Sequence, residues 1–388
     1  MNKFFTLALI FAGSLAYAQD INTPNELNIL PTESKYQFKT IVDIEASEVK
    51  SQGRTGTCWS FSATSFIESE IYRNSGELID ISEIYNVRAT YSKKAWNYVM
   101  RQGKAQFSEG GLAHDVMNSI KTDGLVPESA YSGLLNGATK HDHSTIVPEL
   151  KIVLDAYIKD GDKSEHPNWK NDTEQILDEK LGAKPEEFTY QGKVYTPKEF
   201  LELTGIIPKD YVTITSFEHA PYYDSFVLNI PDNFSNGSFY NVPLEEFNTI
   251  TKDILNKGYT IEWDGDVSEK TFSSKYGIAV SPKDESNNKK ALTEIVPELE
   301  ITPELRQQEF NNYNTTDDHL MHIIGLVEDQ KGNLYYKIKN SWGNGENSER
   351  VNNGGYVYMS EAFFKLKSVS IMVHKNALPQ DLKEKLAI

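Results

Sequence analysis

One cysteine stands in 388 residues: Cys58, in the stretch SQGRTGTCWSF at 51–61. A thiol attacks a carbonyl only as the thiolate, so a nucleophilic cysteine needs a helix N-terminus, a neighbouring imidazolium, or both to lower its pKa. Cys58 falls where a loop holding Gly53 and Gly56 gives way to a helical pattern, which sets its sulfur at the positive end of a helix dipole. Acyl transfer also requires donors for the oxyanion of its transition state. The Cys58 backbone N–H, unpaired at a helix start, is one candidate. The side-chain amide of Gln52, six residues earlier across a loop that folds back, is the second. The base must come from elsewhere in the chain. TTDDHLMHIIGLVED offers His319 and His322, and NLYYKIKNSWGNG follows with Asn340 and Trp342.

These residues need a scaffold. From Thr57 the apolar residues Trp59, Phe61, Ala63, Phe66, Ile67, Ile71 and Tyr72 recur at helical spacing, and Gly76 supplies a stop. SEIYNVRATYSKKAWNYVMRQG predicts a second helix with Ser82 as N-cap and Gly103 beyond its end, and a third is expected to be capped near Glu109 and closed by Gly124. Residues 140–210 are strongly charged, with WKNDTEQILDEKLG reading as a surface helix. From Tyr211 the composition turns to β-formers, in YVTITSF, YTIEWDGDV, HLMHIIGLVED, NLYYKIKNSW and GGYVYMS, interrupted by a helix near PLEEFNTITKDILNKG. Helices first and strands later is the order of a two-lobed α+β protein. The expected divisions are a signal peptide over 1–18, an extended segment over 19–50, a helical lobe with the nucleophile over 51–139, a charged insertion over 140–210, and a β-rich lobe over 211–388.

The leader MNKFFTLALIFAGSLAYAQD has a basic start at Lys3, an apolar run from Phe4 to about Ala12, and Ala16 and Ala18 before the expected cut, so the protein is expected to be exported, periplasmic or secreted. An oxidising compartment favours paired cysteines, which makes a lone one a candidate reactive group. The formal net charge of −17 argues against nucleic acid and against anionic membranes. HDH at 141–143 reads as solvated loop because no further ligands stand at metal-binding spacing. DGDKSE at 160–165 has Glu165 where a calcium loop needs its turn glycine. No metal site is expected.

QGRTGTCWSFSATSFIES resembles the active-site segment of papain-like cysteine peptidases, with Gln-Gly, a glycine among the next residues, then Cys-Trp. Many relatives in that family have a cysteine at the place of Thr55, used in a disulfide. Its absence makes the chain more similar to the bleomycin hydrolase and aminopeptidase C branch. In the family a histidine opens a strand, a glycine follows six residues later, and the next strand ends in Asn-Ser-Trp-Gly. The resemblance therefore implies His319, six before Gly325, as the catalytic histidine, with His322 on the opposite face of the strand. Asn340 then orients the imidazole and Trp342 shields that contact. Trp59 supports the nucleophile. Gly110 and Gly111, in SEGGLAHDVMNSIKTDGLVPESAY, match the glycine pair that pairs with a bound peptide as a strand would. The implied fold is a helical left lobe and a β-barrel-like right lobe with the cleft between them.

The resemblance implies a hydrolase of peptide or protein substrates acting through a thioester acyl-enzyme. It implies neither metal nor organic cofactor, and sets no oligomeric state. The segment between Ala18 and Ser51 is short for an inhibitory propeptide. NALPQDLKEKLAI is shorter than the tail whose terminal carboxylate restricts bleomycin hydrolases to aminopeptidase action, so endopeptidase cleavage is also expected to be open. The alternatives are a catalytically silent peptide-binding protein on the same scaffold, and an acyltransferase or transglutaminase using the same triad.

Overall fold

The helix that begins with the lone cysteine runs through the middle of the molecule. The computed structural model describes residues 30–160, 163–164, 167–346 and 349–388, and the expected leader lies outside the described residues. In the helix Cys58–Ser75 every residue from Cys58 to Ile71 is buried. A helix enclosed on all sides must satisfy its own polar side chains. Here Ser60 Oγ donates to the Glu83 carbonyl at 2.8 Å, Ser62 Oγ to Glu262 Oε1 at 3.2 Å, and Ser69 Oγ to the Glu45 carbonyl at 3.1 Å. Gly76 ends the helix in the left-handed conformation, φ 75°, its N–H donating to the Tyr72 carbonyl at 2.7 Å.

Two further helices cover one side. In Glu83–Met100 the expected cap is present: Ser82 Oγ accepts the Tyr85 N–H at 3.1 Å. The third helix, Ala113–Asp123, starts later than expected, with the Asp115 carboxylate accepting the Leu112 N–H at 3.0 Å. Glu109 is therefore no cap. It takes the Gly56 N–H at 2.6 Å across the cleft, which leaves Gly110 and Gly111 outside any helix.

The charged stretch 140–210 packs back onto this helical side. Its helices Ile146–Lys159 and Trp169–Leu181 bury one face each, so Trp169–Leu181 is a surface helix only on its outer side, with Trp169, Thr173, Leu177 and Leu181 inside. Arg88, 2% exposed, reaches across to Glu174 at 2.9 Å and to Asp178. His143 also lies inside, 2% exposed with Nδ1 3.3 Å from the Tyr91 hydroxyl. The reading of HDH as solvated loop is thus corrected, because backbone bonds from Arg54 to His141 and from His143 to Arg54 draw the loop against the nucleophile segment.

On the other side stands an 11-stranded mixed sheet. Its path runs Ser225–Val227, Ser238–Asn241, Tyr211–Thr215, Ser368–His374, Ile261–Gly265, His319–Asp329, Leu334–Lys339, Tyr356–Ser360, Ile278–Ala279, Phe272–Ser273, with Phe38–Asp43 joined to His319–Asp329. The barrel-like closure implied by the resemblance is not formed among the described residues. The end strands have three and two residues and do not pair with each other. The helices Leu244–Asn256 and Glu361–Lys367 complete this core, burying Phe247, Ile254, Phe363 and Phe364 with Trp263 and Tyr336.

The strand His319–Asp329 organises the whole arrangement. Its first half pairs with Ile261–Gly265, its second half with Phe38–Asp43, and its other edge with Leu334–Lys339. His319 thus begins a strand held on both sides.

Candidate active site

The loop before Cys58 is shaped by one glycine. Gly53 has φ +67°, and a Cβ there would overlap the His141 carbonyl oxygen. Only glycine fits both conditions without strain. Beyond it, Thr55 Oγ1 donates back to the Gln52 carbonyl at 2.9 Å, and the helix starts at Cys58.

The two sequence motifs that frame the site are joined along their backbones. Ser51 and Trp342 form an antiparallel bridge, Gln52 N–H donates to the Ser341 carbonyl at 2.9 Å, and Gly343 N–H donates to the Lys50 carbonyl at 3.1 Å. Ser341 Oγ donates to Gln52 Oε1 at 2.6 Å. One N–H of Gln52 Nε2 meets the Thr55 carbonyl at 2.7 Å. A second N–H remains on the same nitrogen. Gln52 is 7% exposed.

His319 Nε2 bonds to Asn340 Oδ1 at 2.8 Å, so Nδ1 is the ring nitrogen outside that contact. The Asn340 amide is held from behind by Nδ2 donating to Ser274 Oγ at 3.2 Å. The Trp342 ring lies over the imidazole, 4.7 Å between centroids and tilted 35°. The backbone N–H groups of Leu320 and Trp59 lie near the sulfur and favour its ionised form. Leu320 directly follows His319, so the strand that delivers the imidazole also touches the nucleophile.

Burial governs both titrations. Loss of hydration pushes the Cys58 thiol up to about 12; the Leu320 N–H pulls it down, and the charges of Asp317 and Asp232 push it up further. Loss of hydration pushes the His319 imidazole down to about 4, against the Asn340 contact, which raises it. Each group taken alone is neutral at pH 7.

His322 lies apart from this chemistry. It is fully buried beneath the central helix, with Nδ1 2.9 Å from Ser65 Oγ and an edge contact to Phe66.

Gly110 and Gly111 form one wall of the cleft. The Trp59 Nε1–H donates to the Glu109 carbonyl at 3.0 Å, and a Cβ on Gly111 would stand 3.0 Å from that indole ring. Lys94, 2% exposed, donates its ammonium to the Gly110 carbonyl. The cleft has a volume of about 820 Å³ and is bordered by Gly53, Cys58, Gly111, Asp232 and Asp317. A second hollow of about 860 Å³ lies beyond Trp342, bordered by Ser51, Phe272 and Lys275.

Some neighbours of the site escaped the sequence reading. Ser274 carries no motif, and Asp232 sits in a loop of ordinary turn residues. Asp317 was visible as one of two aspartates before His319, and only the fold shows that it meets Asp264. Burial, and next the charge of Asp232, push Asp317 up to about 7.

Known proteins resemble this chain over most of its length. Aminopeptidase G of Lactobacillus delbrueckii subsp. lactis is 21% identical over 386 residues, covering 89% of this chain and 85% of that protein. Aminopeptidase C of Listeria monocytogenes serovar 1/2a is 22% identical, covering 88% and 83%. The crystal structure of pepw from Lactobacillus rhamnosis hn001 superposes with a TM-score of 0.71 at 17% identity, covering 90% of this chain and 84% of that one. That likeness shows the α+β papain-like fold. The model of the Peptidase C1-like family matches residues 104–387, a span that holds His319, Asn340 and both cleft glycines. The chain belongs to the Peptidase C1-like family.

Proposed function

We propose that the protein is an exported cysteine peptidase that hydrolyses peptide bonds with Cys58 as nucleophile, His319 as base and acid, and Asn340 as the group that orients the imidazole. The observation that carries this reading is the strand start at His319: its ring bonds Asn340 at 2.8 Å while the next residue's N–H lies near the Cys58 sulfur. Aminopeptidase action is favoured because the relatives are named aminopeptidases over most of their length.

In the proposed cycle a substrate carbonyl enters beside Gly111. The Cys58 proton passes to His319 Nδ1, and the sulfur bonds to the carbonyl carbon. The oxyanion takes the Cys58 backbone N–H and the second N–H of Gln52. His319 returns its proton to the leaving nitrogen as the C–N bond breaks, leaving a thioester. Water attacks that thioester with its proton going to His319, and the sulfur leaves as the product acid forms. Trp342 keeps water from the His319–Asn340 contact.

The test is cleavage of a mixed library of free and N-acetylated peptides by the wild type beside Cys58→Ala, with alkylation of Cys58 by a papain-type epoxide followed by mass spectrometry. Thiol labelling with loss of cleavage in Cys58→Ala supports the reading. An unlabelled thiol with no cleavage overturns it in favour of a silent binding protein. Transfer of acyl groups to an added amine in place of hydrolysis assigns an acyltransferase.

A further inference from the structure

The strip that carries Gly110 and Gly111 has no side chain of its own with which to hold itself. A Cβ on Gly110 would overlap the Asp232 carboxylate, and one on Gly111 would stand 3.0 Å from the Trp59 ring, so the backbone threads a slot with no room to spare. Glycine peptides are free to rotate unless their polar groups are held. The orientation of this strip therefore comes from the partners of its carbonyl and amide groups.

Two partners lie on the nucleophile segment. The Trp59 Nε1–H donates to the Glu109 carbonyl at 3.0 Å, and the Gly56 N–H donates to the Glu109 carboxylate at 2.6 Å. The third comes from the helix Glu83–Met100, where the Lys94 ammonium donates to the Gly110 carbonyl. A lysine only 2% exposed is unusual, because taking an ammonium out of water is costly unless it is paired. The Phe234 ring covers it, with its centroid 5.1 Å from Nζ. Burial pushes this ammonium down, and the charges of Asp232, Asp115, Asp317 and Glu109 push it back up.

The Gly110–Gly111 peptide is trans, and a planar trans peptide turns its C=O and its N–H in opposite directions. Holding the Gly110 carbonyl against a buried ammonium thus turns the Gly111 N–H away from the interior of the wall, and both glycines border the cleft. A backbone N–H at a cleft edge is what an extended peptide pairs with when it adds as a strand.

We propose that Lys94 is a positioning residue: by fixing the Gly110 carbonyl it sets the Gly111 N–H to bond the backbone of a peptide attached at Cys58. The proposal rests on the cysteine-peptidase reading above. Lys94→Met keeps a long side chain and removes the donor. Wild type and variant are compared in the labelling of Cys58 by iodoacetamide, which carries no peptide chain, and by leucyl-leucyl chloromethyl ketone, which does. Rates are followed over reagent concentration by mass spectrometry, and thermal unfolding checks the fold. In Lys94→Met the ratio of the ketone rate to the iodoacetamide rate is expected to fall by about tenfold, as for loss of one buried hydrogen bond. The fall is expected in the half-saturating concentration of the ketone and not in its limiting rate. Where Lys94→Met does not fold, Lys94→Gln, whose side chain is too short to hold the carbonyl, is judged by the same ratio. A ratio unchanged in a folded variant overturns the proposal; if both rates fall together, Lys94 serves only as counter-charge to Asp317 and Asp232, whose charges push the thiol up. A fall carried by the limiting rate also overturns it, since Lys94 then acts on the nucleophile. These outcomes leave the peptidase reading standing, whereas a wild-type Cys58 that neither reagent labels overturns both.

Discussion

The His319 ring bonds Asn340 Oδ1 at 2.8 Å, and the residue that follows it, Leu320, brings its backbone N–H near the Cys58 sulfur. The position of His319 and Leu320 beside Cys58 is therefore set by a strand and not by flexible side chains. Since Ile261–Gly265 and Leu334–Lys339 hold that strand on either edge, its position is set by the sheet.

Removing the base isolates the thiol. In His319→Ala no imidazole can take the proton, and burial, with the charges of Asp317 and Asp232, holds Cys58 up to about 12, so the neutral form dominates at pH 7. Iodoacetamide labelling at pH 7 is expected to slow by about 100-fold or more and to climb steadily as pH rises through 10. A variant that labels as fast as the wild type at pH 7 would show that the thiolate does not depend on His319.

Gln52→Glu keeps the acceptor for Ser341 Oγ and replaces the nitrogen that carries both the Thr55 bond and the spare N–H by a charged oxygen. Loss of one oxyanion donor costs about 10²–10³ in kcat. The fall is expected in kcat, with KM moving little. If KM carries the loss instead, Gln52 serves substrate binding.

Gly53→Ala places a side chain in the left-handed region against the His141 carbonyl. The conformation alone costs about 1–2 kcal/mol, and the overlap adds to it. A lower melting temperature is expected together with activity reduced by about tenfold, because Gln52 and Cys58 lie on either side of the bend. Wild-type activity in a destabilised variant would separate the loop from the chemistry.

Asp123 offers a check on the helical side. It is lowered to about 2, against the cost of its own burial, by a contact from Thr122 and by Lys93 at 2.9 Å and Lys184 at 3.1 Å. A carboxyl depressed in the folded state stabilises fully above its unfolded pKa, about 3.9, and the contribution fades as pH falls through about 2. Discounted for solvent screening, Asp123→Asn is expected to cost about 1 kcal/mol at pH 7. Urea unfolding of both proteins at pH 7 and at pH 2 measures it; a gap that persists undiminished at pH 2 contradicts the ion-pair account.

Local pattern made the central helix legible, since Trp59 to Ile71 repeat at helical spacing and Ser82 is a capping residue of the usual kind. The His319–Asn340 contact was legible only through motif resemblance, because no local rule brings residues 319 and 340 together. The misplaced cap at Glu109 has a physical cause: its carboxylate is drawn to the Gly56 N–H of another segment. Sheet closure, the burial of His143 and the Asp317–Asp264 contact all depend on long-range pairing, which alternation along a strand does not encode.

Phe38–Asp43 is a strand of the same sheet that presents His319, and Tyr36 and Phe38 stack into an aromatic group with Tyr335 and Tyr358. A maturation cut that released this stretch would strip a rail from beneath the catalytic strand. Residues 36–43 therefore serve the strand that presents His319 as a rivet.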